Sequence, residues 1–203
     1  MKKIVLASNN KHKIKEFKKI LDNVEILTLN DTGYFEEIEE TGTTFLENAL
    51  IKAQTISEYL KNKGLDYDVI SDDSGTCCEA LDGAPGIYSA RYAGNHGNSK
   101  ANRDKLINDL QGKDRTAYFN CTIVLYHIDG TYEYKEGRCY GKIIDEERGD
   151  TSFGYDSIFL SDDLGKTFGE ASEEEKNKVS HRYRALEQIK ELLWKLITQK
   201  KNF

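Results

Sequence analysis

The 203-residue chain contains little proline and little cysteine: one proline, Pro85, and four cysteines. Two of the cysteines are adjacent and the others lie far apart, so no CxxC motif or Cys/His metal-ligand spacing occurs. We therefore expect all four to be small buried side chains in a reducing compartment. They are Cys77, Cys78, Cys121 and Cys139.

Long hydrophobic runs are also missing from the sequence. No apolar stretch is long enough to span a bilayer, which argues against a membrane protein. The short apolar run that follows Lys2 and Lys3 is too short for the core of a signal peptide. We therefore expect a cytoplasmic location.

An excess of positive charge is absent as well, because the formal net charge is −6. Proteins that bind nucleic-acid polymers are usually basic, so a polymer is not the expected partner. A single nucleotide needs only a local basic pocket and is not excluded. With 38% hydrophobic and 32% charged residues, the composition is that of a globular protein, and the length fits one domain over residues 1–203.

Strand and helix patterns alternate along the chain, which predicts an α/β fold with a mixed central sheet flanked by helices. Apolar runs predict strands at 4–7, 26–29, 68–71 and 116–126, a partner strand at 132–144 and a short strand at 153–159. Helical spacing predicts helices at about 11–21, after the capping box of Thr44 and Glu47, at about 99–110, and at the end of the chain. Residues 72–97 are expected to form a long glycine-rich loop.

The run Ser71-Asp72-Asp73-Ser74-Gly75 follows a predicted strand and carries two adjacent carboxylates. An ordinary turn needs only one Asp or Asn with one Gly, so the second acid adds repulsion without an obvious purpose. A divalent cation would offset that repulsion, because hard cations take carboxylate oxygens as ligands. The alternative is an acidic surface turn with no ligand.

The first predicted strand is followed by a polar turn and a helix whose first turn holds Lys11 and Lys13. The free N–H groups of a helix N-terminus favour anions and disfavour cations. A bound phosphate would account for these two lysines. A solvated helix face is the alternative, and it suffices for Lys15, Lys18 and Lys19.

The polar groups at strand ends and helix starts suit a nucleoside triphosphate with Mg²⁺. Ligands of open α/β sheets bind at the carboxyl ends of the strands. Glu40 and Asp73 would hold the ion together with phosphate oxygens, and Phe153 and Tyr155 would stack on a base. No GxxxxGK[ST] phosphate loop is present.

Five sequence blocks, in order, resemble those of the inosine/xanthosine triphosphate pyrophosphatase (Ham1-like) family. Together they span residue 8 to about 186, nearly the whole chain, and five blocks in order are specific although each alone is weak. The blocks are Ser8-Asn9-Asn10-Lys11-His12-Lys13, Glu40-Thr41-Gly42-Thr43-Thr44-Phe45 with Glu47-Asn48-Ala49 and Lys52, Asp72-Asp73-Ser74-Gly75 with residues 83–92, Phe153-Gly154-Tyr155-Asp156, and Ser180-His181-Arg182.

The resemblance implies a two-lobed α/β fold with an active-site cleft, usually in a homodimer. It implies Mg²⁺-dependent hydrolysis of ITP, dITP and XTP to the monophosphate and pyrophosphate, which removes these nucleotides from the pool. Asp73 would be the general base and a metal ligand, and Glu40 the second metal ligand. Phosphate or sugar contacts would come from Ser8, Asn9, Asn10, Lys11, His12, Lys13, Lys52, Ser74 and Lys176. Base contacts would come from Phe153, Gly154, Tyr155, Asp156, His181 and Arg182.

Two positions depart from the family pattern near the groups expected to contact the base. Ser157 stands where the family usually has Pro, and Tyr183 stands where it usually has Gly. Tyr183 is bulky and bears on base selectivity. A free Asp156 carboxylate would favour the 2-amino group of guanine, so we expect a backbone or basic group to engage it.

Other functions remain open at the level of sequence. A pyrophosphatase for modified pyrimidine triphosphates would share the metal and phosphate groups but not the base loop at 153–156. A nucleotide-binding module without catalysis would bind and not turn over, and a structural protein would leave the acids unexplained. Glu39 is an alternative to Glu40 as metal ligand, and Glu40 is preferred for its position beside Thr41-Gly42.

Overall fold

A computed structural model describes residues 1–94, 97–150 and 153–199, with side chains up to Lys195. Its strands are β1 (Lys3–Leu6), β2 (Glu25–Leu27), β3 (Asp68–Cys78), β4 (Thr116–Tyr126), β5 (Tyr132–Ile143) and β6 (Phe159–Ser161). Its α-helices are α1 (Lys11–Ile20), α2 (Leu29–Thr32), α3 (Phe45–Asn62), α4 (Ser99–Asp109), α5 (Glu173–Val179) and α6 (His181–Gln199). Short 3₁₀ turns lie at Glu79–Leu81, Gly86–Arg91 and Asp156–Ile158.

The six strands form one mixed sheet in the order β2-β1-β3-β4-β5-β6. Strand β1 pairs in parallel with both β2 and β3, whereas β5 pairs antiparallel with β6. The turn between β4 and β5 is closed by hydrogen bonds from the His127 N–H to the Thr131 carbonyl and from the Gly130 N–H to the His127 carbonyl. The prediction of a mixed α/β fold is confirmed. Within the described ranges, no helix has the length and apolar content needed to cross a membrane.

The chain divides into two compact units, each built from separate segments. The first contains Met1–Asp73, Thr122–Glu136 and the residues from Tyr183 onward. The second contains Ser74–Cys121 and Gly137–Arg182. The expectation of one domain over 1–203 stays a prediction.

The core of the first unit is organised by α3. This helix starts at a capping box in which Thr44 and Glu47 bond to each other's backbone N–H groups, as predicted from the sequence. Its apolar residues recur three or four positions apart, which places them on one face of the helix. That face packs with the strand residues Val5, Val69 and Val124. The helix contributes Ala49, Ala53, Ile56 and Leu60.

The core of the second unit is aromatic. The ring centroids of Phe119 and Phe159 are 4.4 Å apart, and those of Phe159 and Phe168 are 5.2 Å apart. Tyr155 and Ile158 belong to the same buried cluster. The loop that contains Tyr155 is therefore anchored directly in the core. The four cysteines are free and buried, as expected.

The prediction that a strand ends before Asp72 is wrong, because β3 continues through both acids and Ser74 to Cys78. The second half of β3 finds hydrogen-bond partners in residues 84–89. The Thr76 N–H donates to Ser89 Oγ at 2.9 Å, and the Cys78 N–H donates to the Ala84 carbonyl at 3.1 Å. A glycine is needed at position 75, since a Cβ there would lie 2.2 Å from the Gly86 carbonyl oxygen.

The expected loop at 72–97 is therefore much shorter than predicted. After Cys78, two 3₁₀ turns follow at Glu79–Leu81 and Gly86–Arg91, and positions 95–96 lie outside the described residues. The short strand predicted at 153–159 is also misplaced. Residues Asp156–Ile158 form a 3₁₀ turn, and the strand follows at Phe159–Ser161.

We predict that Gly141→Ala destabilises the protein. Gly141 pairs with Ser161 across β5 and β6, and a Cβ at position 141 would lie 2.2 Å from the Leu160 carbonyl oxygen. Such overpacking should lower the free energy of unfolding by about 1–3 kcal/mol, measured by urea denaturation. Lys142→Ala, at the next and exposed position, is the control and should change it by less than about 0.5 kcal/mol. Equal urea midpoints for the two variants would contradict the steric argument.

Candidate functional site

The N-terminus of α1 is shaped by the first sequence block. The Asn10 side-chain oxygen accepts hydrogen bonds from the N–H groups of His12 at 3.0 Å and Lys13 at 3.2 Å. The Asn10 N–H in turn donates to Ser8 Oγ at 3.2 Å. Asn10 thus caps the helix, a role typical of Asn at this position. The remaining members of the block, Asn9 and Lys11, are exposed.

Lys13 joins this helix to the acid pair of β3. Its ammonium lies 3.0 Å from Asp72 Oδ1 and 2.9 Å from Oδ2. The Asp72 side chain is fully buried, with 0% exposure, and 17% of the Lys13 side chain is exposed. Burying a carboxylate costs free energy unless the charge is paired, and the ion pair with Lys13 offsets this cost for Asp72.

Glu40, Lys52 and Asp73 form a second charged group. The Lys52 ammonium donates a hydrogen bond to Glu40 Oε1 and lies 3.9 Å from Asp73 Oδ1. The Asn48 side-chain N–H₂ donates to Asp73 Oδ2 at 3.1 Å. Asn48 and Lys52 are four residues apart on α3, so they share one face of that helix. One turn of α3 therefore supplies two side chains, Asn48 and Lys52, that interact with Asp73.

The loop that carries Glu40 is itself fixed on α3. The Gly42 N–H donates to the Asn48 side-chain oxygen at 2.8 Å, and Glu47 accepts hydrogen bonds from the N–H groups of Thr43 and Thr44. Position 42 has no room for a side chain, because a Cβ there would lie 2.6 Å from the Glu47 Cβ. The second sequence block is thus a structural unit that places Glu40 beside Lys52.

The charges of this group shift one another's ionisation. Burial alone would lower the pKa of Lys52, but the carboxylates of Asp73, Asp72 and Glu40 outweigh it and raise that pKa above its ordinary value. Burial raises the pKa of the Asp73 carboxyl, and Glu40 adds to the increase while Lys52 opposes it. Lys52 is therefore firmly cationic, and Asp73 accepts a proton more readily than an exposed aspartate.

Asn48 is the functional candidate that the sequence analysis missed. It appears there only as part of a block, whereas in the structure it is fully buried and bonds both Asp73 and the Gly42 backbone. A signal was available. Asn48 precedes Ala49, the first residue of the apolar face of α3, and a polar side chain buried next to such a face needs buried partners.

In the second unit, Asp156 is engaged by Lys176. The Lys176 ammonium donates to Asp156 Oδ2, and it also lies 5.4 Å from the centre of the Phe168 ring and 6.0 Å from that of Phe153. The Asp156 side chain is buried, with 5% exposure. The prediction that a backbone or basic group engages Asp156 is confirmed, and the group is the Lys176 ammonium.

His181 and Arg182 form the start of α6 and are both buried. The Arg182 guanidinium donates to Ser74 Oγ at 3.0 Å. The His181 ring stacks on Phe119 with the centroids 4.9 Å apart. The two side chains thus have different environments. Arg182 bonds to the hydroxyl of Ser74, the residue that follows Asp73 in the chain, and His181 packs against the aromatic core.

The structure therefore groups the predicted site residues in two sets, one in each unit. The first unit brings Lys13 to Asp72, and Lys52 to Glu40 and Asp73. The second brings Lys176 to Asp156, and Arg182 to Ser74. Asp73 and Ser74 are consecutive residues of β3. The roles of all these residues in binding and catalysis stay predictions.

The chemistry of the donor set fits a hard divalent cation. Glu40 and Asp73 are two carboxylates close enough together that the charge of Glu40 contributes to the raised pKa of Asp73. Lys52 supplies positive charge beside both. Among the described residues, no three His, Cys, Asp or Glu side chains are arranged to hold a metal ion. Two carboxylates match the way Mg²⁺ is often bound, where substrate phosphates and water complete its shell.

Together, the fold and the paired acids and lysines define a mixed α/β protein of the kind that binds phosphorylated ligands. The model of the Ham1 family matches residues 4–192, and the chain therefore belongs to the Ham1 family. The resemblance found in the sequence blocks is thereby confirmed.

Curated relatives and solved structures agree with this family over nearly the full length. A dITP/XTP pyrophosphatase of Clostridium perfringens is 48% identical over 199 residues, which cover 95% of this chain and 98% of the relative. One of Bacillus subtilis is 42% identical over 198 residues, covering 95% and 98%. The Staphylococcus aureus Ham1 protein superposes with a TM-score of 0.84 at 40% identity, covering 95% and 98%. A HAM1 protein of Coxiella burnetii gives 0.85 at 37%, covering 96% and 100%.

We predict that Asp73→Asn raises the Tm at pH 7 in buffer with EDTA. The folded-state pKa of Asp73 lies above the unfolded value of about 3.9, so the ionised carboxylate costs stability at neutral pH. This cost is complete above the folded pKa and disappears below the unfolded one. The gain in Tm should therefore shrink as the pH is lowered towards about 4.

Asp72→Asn is the matched control at the neighbouring position. It removes the carboxylate that pairs with Lys13, so the Tm at pH 7 should fall. A drop in Tm for both variants at pH 7 would show that ionised Asp73 stabilises the fold, contrary to the burial argument.

Proposed function

We propose that this protein hydrolyses the non-canonical purine nucleoside triphosphates ITP, dITP and XTP to the monophosphate and pyrophosphate, removing them from the nucleotide pool. One observation carries the proposal. The Glu40–Lys52–Asp73 group is held in place by Asn48, in a chain of the family whose relatives are named dITP/XTP pyrophosphatase. Paired acids with an adjacent buried lysine suit a substrate that brings several phosphate charges.

The triphosphate would be bound by the first unit. Lys13 and Lys52 carry the positive charges, and the polar turn at Ser8–Asn10 and the exposed Lys11 lie before or at the start of α1. Mg²⁺ bound by Glu40 and Asp73 would supply positive charge to the phosphates and lower the pKa of a water molecule. The lysines would offset the charge that develops on the leaving pyrophosphate.

Asp73 is the best candidate for the general base. The pKa of its carboxyl is raised and therefore lies closer to neutral pH than that of an exposed aspartate. A general base is most effective when its pKa is close to the pH at which the enzyme works. The Asn48 amide holds one carboxylate oxygen and thereby orients the side chain. Asp73 would take a proton from the water that attacks the α-phosphorus. Asp72, paired with Lys13, would position its neighbour and not react.

Base selection would belong to the second unit. Hypoxanthine and xanthine carry an acceptor oxygen at C6, whereas adenine carries an amino donor. Arg182 donates hydrogen bonds and accepts none, so it suits the oxygen and opposes the amine. Asp156 is held by Lys176, and this ion pair would withdraw its carboxylate from the 2-amino group of guanine. The expected order of kcat/KM is ITP and XTP far above GTP, with ATP lowest.

Three finer parts of the proposal are supported by the resemblance and by general chemistry. Mg²⁺ is proposed as the metal because two carboxylates with phosphate oxygens form its preferred environment. A homodimer and a cytoplasmic location are proposed on the family resemblance and on the reduced, buried cysteines.

The test is a hydrolysis panel with ITP, dITP, XTP, GTP and ATP in ¹⁸O-labelled water, with products resolved by chromatography. We expect monophosphate and pyrophosphate from the first three, with the label in the monophosphate. Excess EDTA should abolish turnover and added Mg²⁺ should restore it. Asp73→Asn serves as the inactive control, because loss of a general base alone costs about 10²–10⁴-fold.

Three other outcomes would contradict the proposal. Label in free phosphate, with accumulation of the diphosphate, would indicate attack at the γ-phosphorus. Preferential hydrolysis of modified pyrimidine triphosphates would place the protein in another class of pyrophosphatase. Tight binding of ITP without turnover in Mg²⁺ would indicate a binding module.

We predict that Arg182→Ala lowers kcat/KM for ITP by at least about tenfold, as expected for loss of a hydrogen bond from a charged donor. The ratio of kcat/KM for ITP to that for ATP should fall, because the donor that opposes the adenine amine is removed. Arg184→Ala, two residues further along α6, is the control and should leave the ratio unchanged. An equal loss with both nucleotides would assign Arg182 to phosphate binding or to structure.

A further inference from the structure

Arg103 lies on α4 and reaches the loop that is expected to read the base. Its side chain is buried, with 5% exposure. One guanidinium nitrogen, Nη1, donates to the Gly154 carbonyl at 2.9 Å, and the other, Nη2, lies 3.0 Å from Glu147 Oε2. A buried arginine requires a reason, because burying its charge is costly unless carboxylates or carbonyls pair with it.

The same Glu147 oxygen accepts a hydrogen bond from Ser157 Oγ at 3.1 Å. Arg103 is therefore linked to the residues on both sides of Tyr155–Asp156 in the chain. It bonds directly to Gly154, which precedes the pair, and it is linked by way of Glu147 to Ser157, which follows it. Ser157 stands where the family pattern usually has Pro, and Pro has no hydroxyl to donate. This connection through Ser157 is thus a property of the present sequence.

The other contacts of the loop hold different groups. The Tyr155 hydroxyl donates to the Ser89 carbonyl at 2.8 Å, which fixes the ring. The Gly169 N–H donates to the Asp156 carbonyl at 2.9 Å, which fixes the end of the loop. The peptide between Gly154 and Tyr155 is held through its carbonyl by Arg103. Gly154 has a φ of 56°, in the left-handed region, so its neighbours must hold the backbone there.

Holding that carbonyl also sets the direction of an N–H group. In a planar trans peptide, the C=O and the N–H point in opposite directions. With the Gly154 carbonyl directed at Arg103, the Tyr155 N–H is directed away from Arg103. A fixed backbone donor of this kind discriminates an acceptor oxygen from an amine on the ligand it meets.

We propose that Arg103 is a positioning residue for base selection: it fixes the Gly154–Tyr155 peptide so that the Tyr155 N–H donates to the C6 oxygen of a 6-oxopurine. This inference rests on the proposed function, because it assigns a role in choosing the base of the same substrate. Arg103 acts through the backbone and does not itself contact the nucleotide. Loss of its contact would let the peptide rotate, and an adenine amine would then meet the loop carbonyl more easily.

The planar guanidinium is needed for this role. Its two terminal nitrogens serve the Gly154 carbonyl and the Glu147 carboxylate at the same time, in a geometry set by the fork. A lysine at position 103 would keep the charge but offer a single nitrogen on a flexible stem. Arg103→Lys therefore separates the effect of orientation from that of charge.

The experiment measures kcat/KM for ITP and for ATP, and binding of IMP and AMP by calorimetry, in the wild type and Arg103→Lys. We expect the ratio of ITP to ATP to fall by about ten- to a hundredfold, the range spanned by a hydrogen bond to a charged group. The preference for IMP over AMP should fall in parallel. The inhibition constant for inorganic tripolyphosphate, which carries no base, should stay within about twofold of wild type.

Two further variants serve as comparisons. Lys100→Ala changes an exposed lysine of the same helix that pairs with Asp104 in an i, i+4 contact, and it should leave the ratio unchanged. Glu147→Gln removes the charge that holds the other side of the Arg103 fork, at a carboxylate that is 39% exposed and so should not be needed for folding. It should lower the ratio in the same direction but less, by about threefold or more.

The outcomes separate this inference from the proposed function. If the wild type prefers ITP and IMP but neither Arg103→Lys nor Glu147→Gln alters the preference, the inference is overturned and the proposed function stands. A wild type that neither hydrolyses ITP nor prefers IMP would overturn both. If tripolyphosphate inhibition weakens together with ITP turnover and the ratio holds, Arg103 has only a structural role. If Arg103→Lys fails to fold, Glu147→Gln decides.

Discussion

Two carboxylates and one ammonium are largely removed from water together in the first unit, and the arrangement around them depends on keeping those charges balanced. Asp73 and Glu40 repel each other, and Lys52 offsets the repulsion by contacting Glu40 and approaching Asp73. The attraction between opposite charges offsets the cost of removing them from water only when their distances are short and their remaining hydrogen-bonding groups are satisfied. This explains why α3 supplies Asn48 and Lys52 one helical turn apart, and why the loop at Gly42 is bonded to the same asparagine. A site built in this way gives up stability to hold charges close together, and under the proposed function those charges would serve a phosphorylated substrate.

The second unit follows a different principle, because its polar groups are set against an aromatic core. Tyr155 belongs to the same cluster as Phe119, Phe159 and Phe168, and its hydroxyl is bonded to a backbone carbonyl. Lys176 contacts two aromatic rings as well as Asp156, so the lysine and the carboxylate are held together by packing and by charge. Rigid surroundings of this type favour discrimination between ligands that differ by a single hydrogen-bonding group, since the loop cannot adapt to the wrong one.

Much of the fold could be predicted from the sequence, because local patterns determine most of its elements. The capping box of Thr44 and Glu47 and the apolar spacing along α3 both depend on neighbours within a few residues. The extent of β3 could not be predicted in this way. Its second half, beyond Asp73, is completed by hydrogen bonds to residues 84–89, and a local pattern does not reveal which distant backbone groups will serve as partners. For the same reason, the sequence pattern predicts a strand where the structure has the 3₁₀ turn Asp156–Ile158.

The sequence by itself determined the family and the inventory of chemical groups, because the five blocks and their order are specific and a side chain's chemistry does not depend on the fold. Only the tertiary structure decided which of those groups meet. Lys13 pairs with an aspartate 59 positions away and Arg182 with a serine 108 positions away, while Asn48 becomes the partner of Asp73. The physical reason is that a hydrogen bond or ion pair depends on distances of about 3 Å. Distances between residues so far apart in the chain are established only when the strands and helices pack.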